Sequence, residues 1–149
     1  MTIPTEDDWK SEPWCLDIQY AYKHFFGKSL VEAFALFVEN SLYYEEDVMF
    51  MPKVCFRYYL HAYMSYLLSP SSSCDSGGAC SFFGLVECRL VDIQSSDSGL
   101  VGRVLEVLHR LRENQEFYGA DKKIYGSFTK KADTCLLKVQ KFKNENHGA

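Results

Sequence analysis

The stretch GLVGRVLEVLHRLRENQ, residues 99–115, decides the fold class. At 100° per residue, Leu100, Val101, Val104, Leu105, Val107, Leu108 and Leu111 fall on one arc. Gly102, Arg103, Glu106, His109, Arg110 and Glu113 fall on the other. That division predicts a helix with one face in a core. Glu106 and Arg110 add an i, i+4 ion pair worth about 0.3 kcal/mol. The run Ser95-Ser96-Asp97-Ser98-Gly99 just before it supplies a loop and a cap.

Working outward, the same period recurs. Residues 79–93 carry Phe82, Phe83, Leu85, Val86, Leu90, Val91 and Ile93, with Glu87, Arg89 and Asp92 as outlets. They predict a largely buried helix, and a strand over 88–93 is the one alternative. Residues 69–78 read Ser-Pro-Ser-Ser-Ser-Cys-Asp-Ser-Gly-Gly, a loop by composition. Residues 52–68 predict a central helix opened by Pro52, whose missing N–H is harmless in a first turn. There Lys53, Arg57, His61 and Ser65 form an i, i+4 row, a narrow solvated strip, opposite Cys55, Phe56, Tyr59, Tyr63 and Tyr66. Toward the C-terminus, Phe117 to Asp121 is a turn and 121–126 offers a further short one. Residues 127–143 predict a helix capped by Ser127, with Phe128, Ala132, Cys135, Leu136, Val139 and Phe142 facing inward. Residues 144–149 are expected to be a disordered tail.

Toward the N-terminus, Ser29-Leu30-Val31-Glu32 is a capping box. In the helix it opens, Glu32 and Glu39 fall on one line and the rest of the circumference is apolar. So narrow a polar stripe predicts a helix nearly engulfed by the fold. Residues 40–51 read as a connector with room for a short helix near Ser41. Residues 14–26 predict a helix without a sharp apolar stripe, stopped by Gly27. Residues 1–13, acidic and carrying Pro4 and Pro13, read as an irregular arm, pinned to the body by Trp9 and Trp14. Almost no segment alternates with period two. The expectation is an all-α fold: a compact single-domain bundle of about six helices, with a Ser/Gly-rich loop near residues 69–78.

The 149 residues are 47% hydrophobic and 24% charged, which excludes disordered and collagen-like classes. The first residues lack the basic-then-apolar pattern of a secretory signal. The longest apolar stretches are interrupted by Glu32, His61 and Ser65, short of the roughly 18 residues of a membrane span. These features predict a soluble cytoplasmic protein with no membrane contact. The six cysteines are then expected to be free thiols, with a loop disulfide between Cys74 and Cys80 as the alternative to two free thiols there. No His or Cys pair has zinc spacing, so neither a metal nor another cofactor is expected.

Charge is unevenly spread. Residues 1–51 carry a net −7, residues 52–120 a net −1 and residues 121–149 a net +4. Lys130, Lys131, Lys138 and Lys141 share the outer arc of the last helix. With no arginine or aromatic rows between them, and with an overall charge of −4, they read as a solvated face, and nucleic acid is an improbable partner. Gly27-Lys28-Ser29 lacks the glycine and the strand that a phosphate-binding loop needs before it, so it reads as a cap. The histidines, at 24, 61, 109 and 147, form no i, i+4 pair, and no catalytic set assembles from spacing.

Two candidate surfaces remain. Tyr43, Tyr44, Glu45, Glu46 and Asp47 place three carboxylates after two tyrosines, a combination suited to a basic protein surface. Arg57, Tyr59, His61 and Tyr63 could line an aromatic ligand pocket on the helix over 52–68. The first surface predicts a non-enzymatic protein–protein interaction module, an acidic helical domain of the inhibitor or immunity-protein type. The second predicts a small-molecule binder or enzyme. Oligomeric state is not encoded in any of these patterns.

Overall fold

The computed structural model describes residues 1–147, with side chains as far as Lys141. Its regular elements are α1 (Glu6–Trp9), α2 (Leu16–Phe25), α3 (Leu30–Met49), α4 (Lys53–Leu68), a 3-10 turn (Pro70–Ser72), α5 (Ser76–Cys88), α6 (Leu90–Gln94), α7 (Ser98–Glu113), α8 (Lys122–Tyr125) and α9 (Phe128–His147). Among the described residues there is no strand, so the fold is all-α. None of the described helices is long and apolar enough to cross a membrane. The chain divides into two compact units, Met1–Tyr66 and Leu67–Ala149, with the boundary in the last turn of α4.

In the first unit, the predicted irregular arm contains a helix. Thr5 accepts a hydrogen bond from the Asp8 N–H, and the Asp8 carboxylate accepts one from the Thr5 N–H at 2.8 Å. This box orients Trp9 inward until its ring has no exposure, edge-on to Tyr22 at 5.7 Å. Enclosure leaves the indole N–H without an acceptor, a cost of roughly 1–3 kcal/mol. The ring's burial offsets much of that. Farther along, Glu12 accepts the Lys53 N–H at 2.7 Å, satisfying an orphan donor at the start of α4.

α2 buries Ile18, Ala21 and Phe25 and packs against α3. Gly27 ends the turn after it at φ +78°, a conformation that side chains resist. α3 then opens with the expected Ser29–Glu32 box. Its axis breaks at Asn40, which is extended (φ −160°, ψ 88°) and whose side-chain oxygen accepts the Tyr43 N–H. The short helix anticipated near Ser41 is therefore the second half of α3. Engulfment of the first half is not observed. Ala33 and Phe37 are buried, but Val31 is 81% and Val38 50% exposed.

The core of this unit is aromatic. Phe37 stacks on Tyr63 at 5.1 Å, and Phe25 meets Tyr59 at 5.0 Å. The Tyr59 hydroxyl sits 2.8 Å from the carbonyl oxygens of both Phe25 and Lys28, and donates its proton between them.

In the second unit, α9 packs against α5, α6 and α7. Its buried face is Phe128, Ala132, Cys135, Leu136 and Val139, as the period predicts. α7 carries Leu100, Val104, Val107, Leu108 and Leu111 inward and is capped by Asp97. The predicted helix over 79–93 begins earlier, because Asp75 caps α5 through the Gly78 N–H. It also breaks at Arg89, so the segment considered for a strand is α6 instead. The serine loop ends α4. Ser72 and the Tyr118 hydroxyl both donate toward the Leu67 carbonyl, at 3.0 and 2.7 Å. Gly119 (φ +65°) lies against Cys74, where an added Cβ would come within 3.4 Å of backbone. All six cysteines are free. α9 continues through residues 144–147 rather than stopping at 143. The readings made for the Phe142 side chain and for the tail's last two residues lie outside the described residues.

Removing only the Tyr59 hydroxyl tests the α2–α4 tie. Tyr59→Phe should lower unfolding free energy by ~1–3 kcal/mol, because the Lys28 carbonyl loses its hydroxyl donor and the Phe25 carbonyl is left with the Lys28 N–H. Urea denaturation should show a lower midpoint with an unchanged slope.

Candidate functional site

Two helical rows meet in the first unit. Asp17, Tyr20 and His24 follow one another at i, i+3 and i+7 along α2. Tyr43, Glu46, Asp47 and Phe50 do so at i, i+3, i+4 and i+7 from the second half of α3. Side chains so spaced share a face. The Asn40 break sets this face, since the Asn40 cap starts a new helical register at Tyr43. Together the seven residues line an open cleft of about 280 Å³.

The cleft has a hydrogen-bonded centre. Asp47 Oδ2 lies 2.7 Å from His24 Nδ1, and both groups are largely shielded. A carboxylate there holds a proton on Nδ1 and leaves the Nε2 lone pair free to accept. The Tyr43 hydroxyl faces that nitrogen at 3.4 Å. Burial pushes the Asp47 carboxyl up from its ordinary range, and the His24 hydrogen bond opposes the rise. Tyr20 and Tyr43 are each about half exposed, and Phe50 is 45% exposed. Among the described residues no cation pairs with Asp17 or Glu46.

The anticipated segment is thus divided by helical geometry. Tyr43, Glu46 and Asp47 face the cleft. Tyr44 turns toward the Phe25 ring at 6.0 Å and lies edge-on to His24 at 5.6 Å. Burial raises its phenol above the ordinary value. Glu45 points inward and is only 8% exposed. It is a buried carboxyl rather than a contact residue. Five consecutive residues of a helix span more than one turn and cannot share one surface.

The second anticipated group is also divided. Tyr59 and Tyr63 have no exposure and belong to the aromatic core. Arg57 is part-buried and His61 only 9% exposed, and both are engaged by neighbouring groups. The solvated row expected along this helix keeps only Lys53 fully outside.

His24, Asp17, Tyr20 and Phe50 were not singled out by the sequence. The available signal was the i, i+3, i+7 row on α2, which is informative only beside its counterpart on α3. Among the described residues no group of three or more His, Cys, Asp or Glu is arranged to hold a metal ion. In comparisons with known proteins, no family model, curated protein or solved structure matches this chain.

Glu45 gives the site's helix a pH signature. Burial, aided by the Glu46 charge, lifts its carboxyl from 4.5 to about 7. The folded state therefore holds this proton more tightly than the unfolded chain does. Its stabilising effect is complete below pH 4.5 and is lost as pH rises through about 7. Glu45→Gln should exceed the wild type in stability by ~2 kcal/mol above pH 8, with the difference closing toward pH 4. Urea midpoints measured across that range check it.

Proposed function

We propose that this protein is a non-enzymatic protein–protein interaction module that takes a basic partner surface into the α2–α3 cleft. The observation that carries the reading is the pair of carboxylates without a cation, Asp17 and Glu46, set among the exposed rings of Tyr20, Tyr43 and Phe50. Carboxylates beside aromatic faces suit a guanidinium or ammonium group. The carboxylates supply charge, and a ring face adds about 0.5–2 kcal/mol of cation–π attraction. Tyrosine brings contact area at small entropic cost. The His24–Asp47 bond supports the cleft by fixing one wall. The net −7 of residues 1–51 would steer a basic partner inward. In this reading the protein acts as a soluble cytoplasmic binder of the inhibitor or immunity type.

The small-molecule or enzyme reading draws support from a different place than the helix over 52–68. The Asp47–His24–Tyr43 run orients an imidazole toward a phenol, as nucleophile-activating sets do. The binding reading is preferred because the open carboxylates and exposed rings lie together at the surface.

The test is charge reversal at the two open carboxylates. Full-length chain immobilised at low salt should retain a partner whose contact surface is basic. Asp17→Lys combined with Glu46→Lys should release it, with circular dichroism unchanged. Retention by the double variant equal to that of the wild type would overturn the reading.

A further inference from the structure

The first half of α3 carries a feature that neither the core nor the cleft uses. Val31, Ala35, Val38 and Leu42 recur at spacings of four, three and four, and all are exposed, Val31 by 81% and Val38 and Leu42 by 50% each. That spacing is the seam along which one helix packs on another. Val31 and Val38 gain nothing locally. β-branched residues are weaker helix formers than Glu, Lys or Gln, and neither valine is packed in the core. Leu42 follows the Asn40 break and belongs to the second half of α3.

We propose that this strip is a docking seam for an amphipathic helix of a partner protein whose flank is basic. The charge beside the strip selects that occupant. Glu32 and Glu39 run along one side of it, seven residues apart and both exposed. Among the described residues Glu39 has no cation partner. A helix laid on Val31, Ala35 and Val38 brings its own flanking positions against these glutamates. Lysine or arginine there is attracted, as at the e and g positions of a coiled coil. A second copy of the chain is a poor occupant. Pairing α3 with α3 would bring together two segments that each belong to a region of net −7. The inference goes beyond the cleft. Tyr43 and Asp47 lie on another side of α3, so either surface can fail alone.

The test uses two synthetic helical peptides about four turns long, with the same leucine seam. One carries lysine at the flanking positions and the other glutamate. Fluorescence anisotropy against the full chain should show the lysine peptide binding about tenfold or more tighter than the glutamate peptide. Val31→Gln combined with Val38→Gln should weaken the lysine peptide by about tenfold or more. These exposed changes favour the helix, so the fold is retained. Asp17→Lys with Glu46→Lys should leave its binding intact. Three results would overturn the proposal: no binding or equal affinity for both peptides, no effect of the glutamine changes, or a dimer in sedimentation that those changes dissociate.

Discussion

The hydroxyl of Tyr59 is held 2.8 Å from two carbonyl oxygens, those of Phe25 and Lys28, and the first unit depends on this contact. The two carbonyls flank the turn that leaves α2. Both have lost the helical partners that a continuing chain would give them. One buried phenol satisfies both, so the turn sits against α4 without stranding polar atoms. Burial drives the phenol's pKa far above its ordinary value, so it remains a donor at every physiological pH. Gly27 supplies the left-handed residue and Ser29 the next cap, so α3 starts in one direction. The meeting of His24 with Asp47 follows from that direction. The cleft is a consequence of how a turn is anchored, directly after His24 in the chain.

Much of this architecture was legible because it rests on local rules. The α7 arc, the Ser29–Glu32 box, Gly27 as a stop and the inward face of α9 each depend on neighbours within one or two turns. The misreadings share a cause. In α1 the box closes through Asp8, a shorter side chain than the usual Glu or Gln at that position, inside a segment whose prolines and acids suggested an arm. Asn40 and Arg89 interrupt helices whose hydrophobic period continues past them, so periodicity alone cannot register the break. The row Lys53, Arg57, His61 and Ser65 was assigned to solvent by polarity, yet His61 is buried. Polarity predicts exposure only where no partner is at hand, and partners come from elsewhere in the chain.

The site was legible by half for the same reason. Tyr43 to Asp47 announced itself through composition, but composition has no direction. Helical rotation sends Glu45 inward and Tyr44 against Phe25, and keeps Tyr43, Glu46 and Asp47 for the cleft. The other wall comes from α2, more than twenty residues away in sequence for the His24–Asp47 pair. An isolated histidine at position 24 carries no such message. It becomes informative only when a carboxylate is found 2.7 Å from its ring.

α3 shows how one helix can serve a core and two surfaces. Phe37 and Val48 belong to the interior, and Tyr43, Glu46 and Asp47 belong to the cleft. Val31 and Val38 belong to neither. A uniform helix of this length would repeat one face from end to end. The Asn40 break lets the second half rotate its polar row toward α2 while the first half keeps an aliphatic line in water. Exposed aliphatic area forgoes about 25 cal/mol per Å² that burial would return. A helix with glutamates beside such a line forgoes that energy in the free state and recovers it only when something apolar, with positive charge at its edge, covers the line. On the proposed reading, the first half of α3 is a surface with a preferred complement, and the acidity of the first unit serves recognition.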